Sequence, residues 1–341
     1  MKGKALRLLK SYLWKRFIEV VHNGERSELH EIFSGVPQGA RWSPDLWNFD
    51  VSEAPDVVSI WAMLITYADD FALWYEITEL NRSRLVDIIN ADLKALVAWG
   101  DDNKSMFECT KTYCMVISKK KKPFDPSGIE MLGHPIEVVT QMKLVGYLLD
   151  SKLTWGPHIG MLAKKARIRV AALYRMSRFL DSENLKTMYV AFIRSIMEYG
   201  AVQWMGACKS HLQKLDRIQY RAEKIGNFRV EPLEVRREAA LLSFSFKLLD
   251  GGGRGQLNDF VPQLKTVTQD PLKRELRNLN PGIQVDQIRK TNSLDCFRNS
   301  AQCALPSVWN KIPQSVIKLG KENGWRSIKK ISTKLLTKFI V

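Results

Sequence analysis

Cysteine is scarce and scattered in this sequence: Cys109, Cys114, Cys208, Cys296 and Cys303 form an odd set with no C-x-x-C pair. That spacing excludes a disulfide framework and a zinc knuckle, and predicts free, buried thiols. Long apolar runs are also lacking. A stretch such as Leu144 to Leu149 falls far short of the roughly 20 residues of a membrane span, and no signal-type apolar block follows the first residues. The expectation is a soluble, intracellular chain, cytoplasmic or nuclear, with no membrane partner. No internal repeat is evident. Basic excess is absent from the first part: residues 1–150 hold 18 Lys and Arg against 21 Asp and Glu, net −3. Residues 151–341 hold 34 against 15, net +19, so the whole excess of the +16 chain is C-terminal. An excess on that scale suggests a polyanionic partner, because phosphate contacts release condensed counterions. A lysine-rich solubilising surface is the plainer alternative.

What is present is enough apolar side chain, 45% of 341 residues, for two or three packed units. Leu6 to Trp14 reads as a helix. Phe17 to Val21 and Leu29 to Phe33 flank Asn23-Gly24, a dipeptide suited to a tight hairpin turn. After Gly35 to Gly39 comes a helix start containing Pro44. Trp61 to Tyr75 is almost wholly apolar apart from Thr66, Asp69 and Asp70, and reads as two buried strands joined at Ala68-Asp69-Asp70. Leu85, Ile88, Ile89, Leu93, Leu96 and Val97 recur at helical spacing; Thr112 to Ile117 and Leu144 to Leu149 read as strands.

From Pro157 the period becomes helical. Ile159, Leu162, Ala166, Val170 and Leu173 form an apolar stripe, with Lys164, Arg167, Arg175 and Arg178 on the opposite side of the same helix. Leu185, Met188, Tyr189, Phe192, Ile196 and Tyr199 mark a second helix, and Leu212, Leu215, Ile218 and Ala222 a third. Gly251-Gly252-Gly253-Arg254-Gly255 reads as a linker to a basic C-terminal region.

Adjacent carboxylates at a hairpin tip repel each other and favour a bound cation. Magnesium suits them, since it takes hard oxygens and needs only one or two carboxylates from protein. Asp-Asp is equally ordinary turn chemistry. The neighbours add weight. Ser34-Gly35-Val36-Pro37-Gln38-Gly39, Trp42-Ser43-Pro44, Tyr67-Ala68-Asp69-Asp70, and Val145-Gly146-Tyr147-Leu148-Leu149-Asp150-Ser151-Lys152-Leu153-Thr154-Trp155 with His158 follow in that order. Together they resemble the reverse transcriptase domain of non-LTR retrotransposons. Met197-Glu198-Tyr199-Gly200 with Trp204, and then Arg289, Thr291-Asn292-Ser293, Pro306, Trp309-Asn310 and Ile312-Pro313, extend the resemblance over nearly the whole chain.

The resemblance implies an α+β fold: part of a polymerase palm over residues 1–156, with a small, mostly antiparallel sheet and helices, an all-helical thumb over 157–250, and a linker and basic region over 251–341. It matches Asp69 and Asp70 to the ligands of Mg2+ (or Mn2+). It places Gly35, Pro37, Gln38, Gly39, Tyr67 and Lys111 near the incoming nucleotide and template. Gly146 and Tyr147 correspond to the primer grip, and Lys164, Arg167, Arg175 and Arg178 to contacts with the nucleic-acid backbone. The implied partners are an RNA template, an RNA–DNA hybrid and deoxynucleoside triphosphates. Plainer roles stand beside these: a helix-start turn for the glycine loop, a solvated Lys111, a buried strand at Gly146 and a solvated basic face. Trp155, His158 and Trp204 read as packing residues.

The resemblance also implies a further carboxylate on a strand upstream, together with fingers, and no residue of this sequence matches them. Asp50 lies in a helical region and does not substitute. The expectation is therefore an incomplete polymerase, inactive by itself and exposing apolar surface. The alternatives are a noncatalytic nucleic-acid-binding module and a transposon remnant without function. Charge alone makes one testable prediction: the chain binds duplex through its C-terminal half, with affinity falling steeply as salt rises. Each neutralised phosphate contributes about −0.9 to the slope of log affinity against log salt. Arg167→Glu with Arg175→Glu flattens that slope in a salt titration; an unchanged slope refutes the assignment.

Overall fold

The computed structural model describes residues 3–247, with side chains to residue 244. The expected linker at Gly251 to Gly255, the basic region to residue 341 and the motifs from Arg289 to Pro313 lie outside the described residues. The chain divides into two compact units between Val145 and Gly146. Among the described residues no helix is long and apolar enough to cross a membrane. Cys109, Cys114 and Cys208 are free thiols, and Cys208 is exposed where a buried thiol is expected.

The first unit opens with helix α1 (Lys4–Leu13), followed by strands β1 (Arg16–Ile18), β2 (Val21–His22), β3 (Glu25–Arg26) and β4 (His30–Ile32). They nest as two antiparallel pairs, β1 with β4 and β2 with β3. Asn23 and Gly24 turn between the inner strands with φ of 51° and 87°, the left-handed values that this dipeptide tolerates. Helix α2 (Ser43–Asp50) carries proline in its first turn, where no intrahelical N–H is required. A 3-10 segment, Val51–Val57, leads to β5 (Ala62–Tyr67) and β6 (Asp70–Tyr75), which pair antiparallel from Ala62↔Tyr75 to Tyr67↔Asp70.

Helix α3 (Leu85–Asp102) packs under this hairpin, and Leu96 and Trp99 form a core with Val51 and Ala54 against Leu64, Phe71 and Leu73. The hairpin is not buried on both faces, as its unbroken apolar run predicts. Met63, Ile65, Tyr67 and Trp74 are exposed because α3 covers one face only. Short strands β7 (Tyr113–Cys114), β8 (Glu130–Met131), β9 (His134–Pro135), β10 (Glu137–Val138) and β11 (Gln141–Leu144) complete the unit. β8 pairs antiparallel with β9, and β7 parallel with β10. The fold is thus mixed α+β, but separate two-stranded pairs replace the single small sheet expected. Bare apolar side chains are frequent here, among them Trp14, Phe17 and Phe33.

The stretch Leu144 to Leu149 is not one strand. Val145 and Gly146, with φ of 47° and 82°, interrupt it, and β12 (Tyr147–Asp150) begins the second unit. Asp150 is buried and organises the passage into helix α4 (Gly156–Met176). One of its oxygens accepts from the N–H groups of Lys152 and Thr154 at 3.2 and 3.0 Å, and the other from Thr154 Oγ1 and Trp155 N at 3.2 and 2.9 Å. The apolar stripe Ile159, Leu162, Ala166, Val170 and Leu173 is buried throughout, as its spacing predicts.

Helices α5 (Ser182–Met188) and α6 (Ser195–Met197) flank a π-helical segment, Tyr189–Arg194. The wider π turn rephases the stripe. Leu185, Tyr189, Ile193 and Met197 are buried, whereas Phe192 and Tyr199, predicted to face the core at α-helical spacing, are exposed. Helices α7 (Ala201–Trp204), α8 (Lys209–Gly226) and α9 (Leu233–Lys247) close the unit around the same core. Glu198 of the Met197-to-Gly200 motif binds the guanidinium of Arg236 through both oxygens, one at 2.8 Å, and Arg194 lies 3.7 Å away. The motif thereby pins α9.

His158 is fully buried, and its Nδ1 accepts the Leu148 N–H at 3.2 Å, which leaves the proton of the neutral ring on Nε2. Burial, aided by Lys165, holds its pKa below the ordinary histidine range. The folded chain therefore binds fewer protons at this ring than the unfolded chain. Stability from this group is intact above the unfolded pKa of about 6.5 and declines as pH falls through that value. Urea midpoints should drop between pH 7 and pH 5 more for the wild type than for His158→Asn. Equal drops would remove His158 as the source.

Candidate active site and nucleic-acid interface

Helix α2 holds two of the sequence motifs. Ser43, in its first turn and buried, donates through Oγ to the carbonyl of Pro37, while the Ala40 N–H donates to the same oxygen at 3.3 Å. Trp47, one turn along, donates through Nε1 to the carbonyl of Ala68 at 2.6 Å. Positions i and i+4 share a helix face and lie ~6 Å apart along the axis. The glycine loop and the Asp-Asp turn are therefore fixed to one face of α2. Gly35 and Gly39 adopt φ of 72° and 81°, backbone that an L side chain rarely takes, and Gln38 between them is exposed.

Asp69 and Asp70 are exposed, and not buried as the apolar flanks predict. Ala68 turns with φ of 52°, so Asp69 stands at the tip and Asp70 faces Tyr67 across the first rung of the ladder. The open end of the hairpin is held by Asp92 of α3, which is buried. It accepts from the Ser59 N–H at 2.7 Å and from the Ser59 and Tyr75 hydroxyls at 2.8 Å each. Burial and the bond to Asp92 push the Tyr75 phenol far above its ordinary pKa, so it remains a donor. Lys111 is exposed and pairs with Glu108 at 2.7 Å, an ion pair that raises the lysine and lowers the glutamate pKa.

Among the described residues no group of three or more His, Cys, Asp or Glu could hold a metal. Two adjacent exposed carboxylates still suit an ion that draws the rest of its shell from water and phosphate.

In the second unit, Tyr147 stacks on Tyr199 at 5.5 Å between ring centroids and borders Trp155 and His158. A Cβ at Gly200 would fall 1.9 Å from the Tyr147 hydroxyl, so only glycine admits this stack. Trp204 is buried and donates Nε1 to the Tyr199 carbonyl at 2.8 Å. Trp155, His158 and Trp204 thus serve packing, as expected. Lys164, Arg167 and Arg175 are exposed on α4. Arg178 is exposed too, but beyond the end of the helix at Met176, so the basic stripe does not run along a single helix.

Sequence reasoning missed Trp47, Asp92 and Asp150 as supports. Asp92 leaves a legible trace: a carboxylate at an otherwise apolar face of α3, beside Leu93 and Leu96. It also missed Lys214, Arg217 and Arg221 of α8, whose spacing sets them in a row along one edge of the Leu215, Ile218 and Ala222 stripe.

The chain is similar to RNA-directed DNA polymerases of non-LTR retrotransposons. It is 29% identical over 228 residues to the probable RNA-directed DNA polymerase from transposon X-element of Drosophila melanogaster. It is 26% identical over 228 residues to the RNA-directed DNA polymerase from mobile element jockey, and 28% over 224 residues to the probable polymerase from transposon BS, both of the same fly. These matches cover 62–64% of this chain, less than the motifs from end to end suggest, and the matched stretch spans 24% of each relative. No family model and no solved structure matches the chain.

The two supports of the hairpin differ in burial, which sets their cost. Asp92→Ala strands three donors and should lower stability by about 3 kcal/mol. Trp47→Phe frees a carbonyl that water can reach, and should cost about 0.5–1 kcal/mol. Urea denaturation followed by circular dichroism separates the two, and equal losses would contradict this order.

Proposed function

We propose that this chain supplies the carboxylate hairpin and a nucleic-acid-binding helical unit of an RNA-directed DNA polymerase. The observation that carries the reading is the Asp69–Asp70 turn at the exposed tip of a hairpin braced at both ends, by Trp47 and by Asp92. Phosphoryl transfer depends on positioning, and a displacement of about 1 Å can cost on the order of a hundredfold. A tip fixed by hydrogen bonds at both ends meets that demand; a loose turn does not. Asp69 and Asp70 would hold Mg2+ or Mn2+. Bound there, the ion would activate a primer hydroxyl and neutralise charge developing on phosphate.

In this reading Gly35, Pro37, Gln38 and Gly39 present backbone and amide to the incoming nucleotide and the templating base. Tyr67 and Lys111 flank the nucleotide. Gly146 and Tyr147 support the primer end, and Lys164, Arg167, Arg175 and Arg178 neutralise backbone phosphates of an RNA–DNA hybrid without reading sequence. Residues 1–156 act as palm and 157–250 as thumb, with 251–341 a basic extension. Two carboxylates from one turn hold an ion weakly, and a third from a separate strand is needed to fix a metal pair. The chain by itself is therefore inactive. Its C-terminal net charge of +19 favours one further role, metal-independent nucleic-acid binding.

The test is an exchange. The matched residues of the jockey polymerase are replaced by those of this chain, and primer extension on an RNA template is measured in magnesium. The exchange should extend the primer, and Asp69→Asn should lower the rate by about a hundredfold or more with circular dichroism unchanged. The chain alone should give no extension. A dead exchange of wild-type fold, or extension indifferent to Asp69→Asn, would sink the reading.

A further inference from the structure

Between α4 and α8 the surface carries a cleft of about 190 Å3, lined by Arg167, Val170, Lys214, Arg217, Ile218 and Arg221. Its floor is apolar and its walls hold four cations. Three come from α8 at i, i+3 and i+7, so they form a row down one face, and the fourth faces them from α4. Ala163 and Ala166 of α4 and Ala222 of α8 are buried in the core that the two helices share.

Among the described residues no carboxylate lines this cleft, and helix α4 contains none at all. The two on α8 are engaged elsewhere: Asp216 faces Arg237 at 3.8 Å, and Glu223 binds Arg229 at 3.0 Å and Gln219 at 3.1 Å. Four like charges converging without an internal counterion repel one another, and a bound anion relieves that repulsion.

We infer that this cleft is a backbone clamp for nucleic acid, seating consecutive phosphodiesters along the Lys214–Arg217–Arg221 row with Arg167 closing from the other side. This rests on the nucleic-acid-binding reading given above and locates it on residues outside the α4 stripe, Arg167 excepted. The size decides against a nucleotide pocket, because small-molecule sites occupy roughly 300–1,000 Å3 and enclose apolar surface. The shape decides against free phosphate. The row runs ~10 Å along the helix axis at 1.5 Å per residue, too long for one tetrahedral anion and matched to a linear polyanion. Guanidinium forks suit phosphate oxygens in this setting.

The experiment uses the full chain and a labelled 20-base-pair DNA duplex, with affinity measured by anisotropy from 50 to 200 mM salt. Arg217→Gln with Arg221→Gln should flatten the log–log salt slope by about 1.8, that is about 0.9 for each phosphate left without its arginine. Lys186→Gln with Lys209→Gln removes the same charge from α5 and from the far side of α8, outside the cleft, and should leave the slope within error. All variants are surface changes, and their melts are compared with the wild type. Equal flattening by both pairs would overturn the cleft and leave only diffuse charge. Wild-type binding that ignores salt would overturn the nucleic-acid reading beneath it. Release of the duplex by inorganic phosphate beyond the effect of chloride at matched ionic strength would assign the cleft to free phosphate instead.

Discussion

A carboxylate taken out of water costs several kcal/mol unless donors meet its oxygens, and each unit of this protein is organised around one such group. Asp92 draws together α3, the Ser59 loop and the end of β6. Asp150 draws in the backbone of residues 152–155 and sets where α4 begins. Their role is positional: one fixes the base of the hairpin that carries Asp69 and Asp70, the other the start of the helix that carries Lys164, Arg167 and Arg175.

The two halves divide the electrostatics as well. The first unit is slightly acidic and carries two adjacent exposed carboxylates at the hairpin tip, where repulsion between Asp69 and Asp70 favours a cation. The second sets two of its acids, Glu198 with Arg194 and Arg236 and Glu223 with Arg229, in ion pairs where the carboxylate is largely covered, and leaves cations exposed on α4 and α8. Covering those two acids while the bases of α4 and α8 stay exposed adds to the positive surface potential that the excess of charge creates.

Much of this was legible in the residues. Asn23-Gly24 located a turn because few other dipeptides tolerate two left-handed residues, and the stripe from Ile159 to Leu173 marked a buried helix face because the 3.6-residue period leaves little choice. Other signals misled for identifiable reasons. The run from Trp61 to Tyr75 is apolar on both faces, which looks like a strand buried on both sides, yet α3 covers one side only. Phe192 and Tyr199 fit an α-helical stripe until a π turn intervenes, and nothing local in Tyr189–Arg194 announces it.

By itself, then, the sequence determined the mixed α+β class, the apolar helix faces, the glycine loop and the Asp-Asp turn, because these depend on backbone sterics and on periodicities confined to neighbouring residues. Tertiary structure alone decided what holds them: that Ser43 and Trp47 tie two distant motifs to one face of α2, that Asp92 braces the hairpin from α3, and that Arg167 meets the row on α8 across a cleft. Those outcomes depend on hydrogen bonds and charges between residues up to roughly 50 positions apart, about which local pattern carries no information.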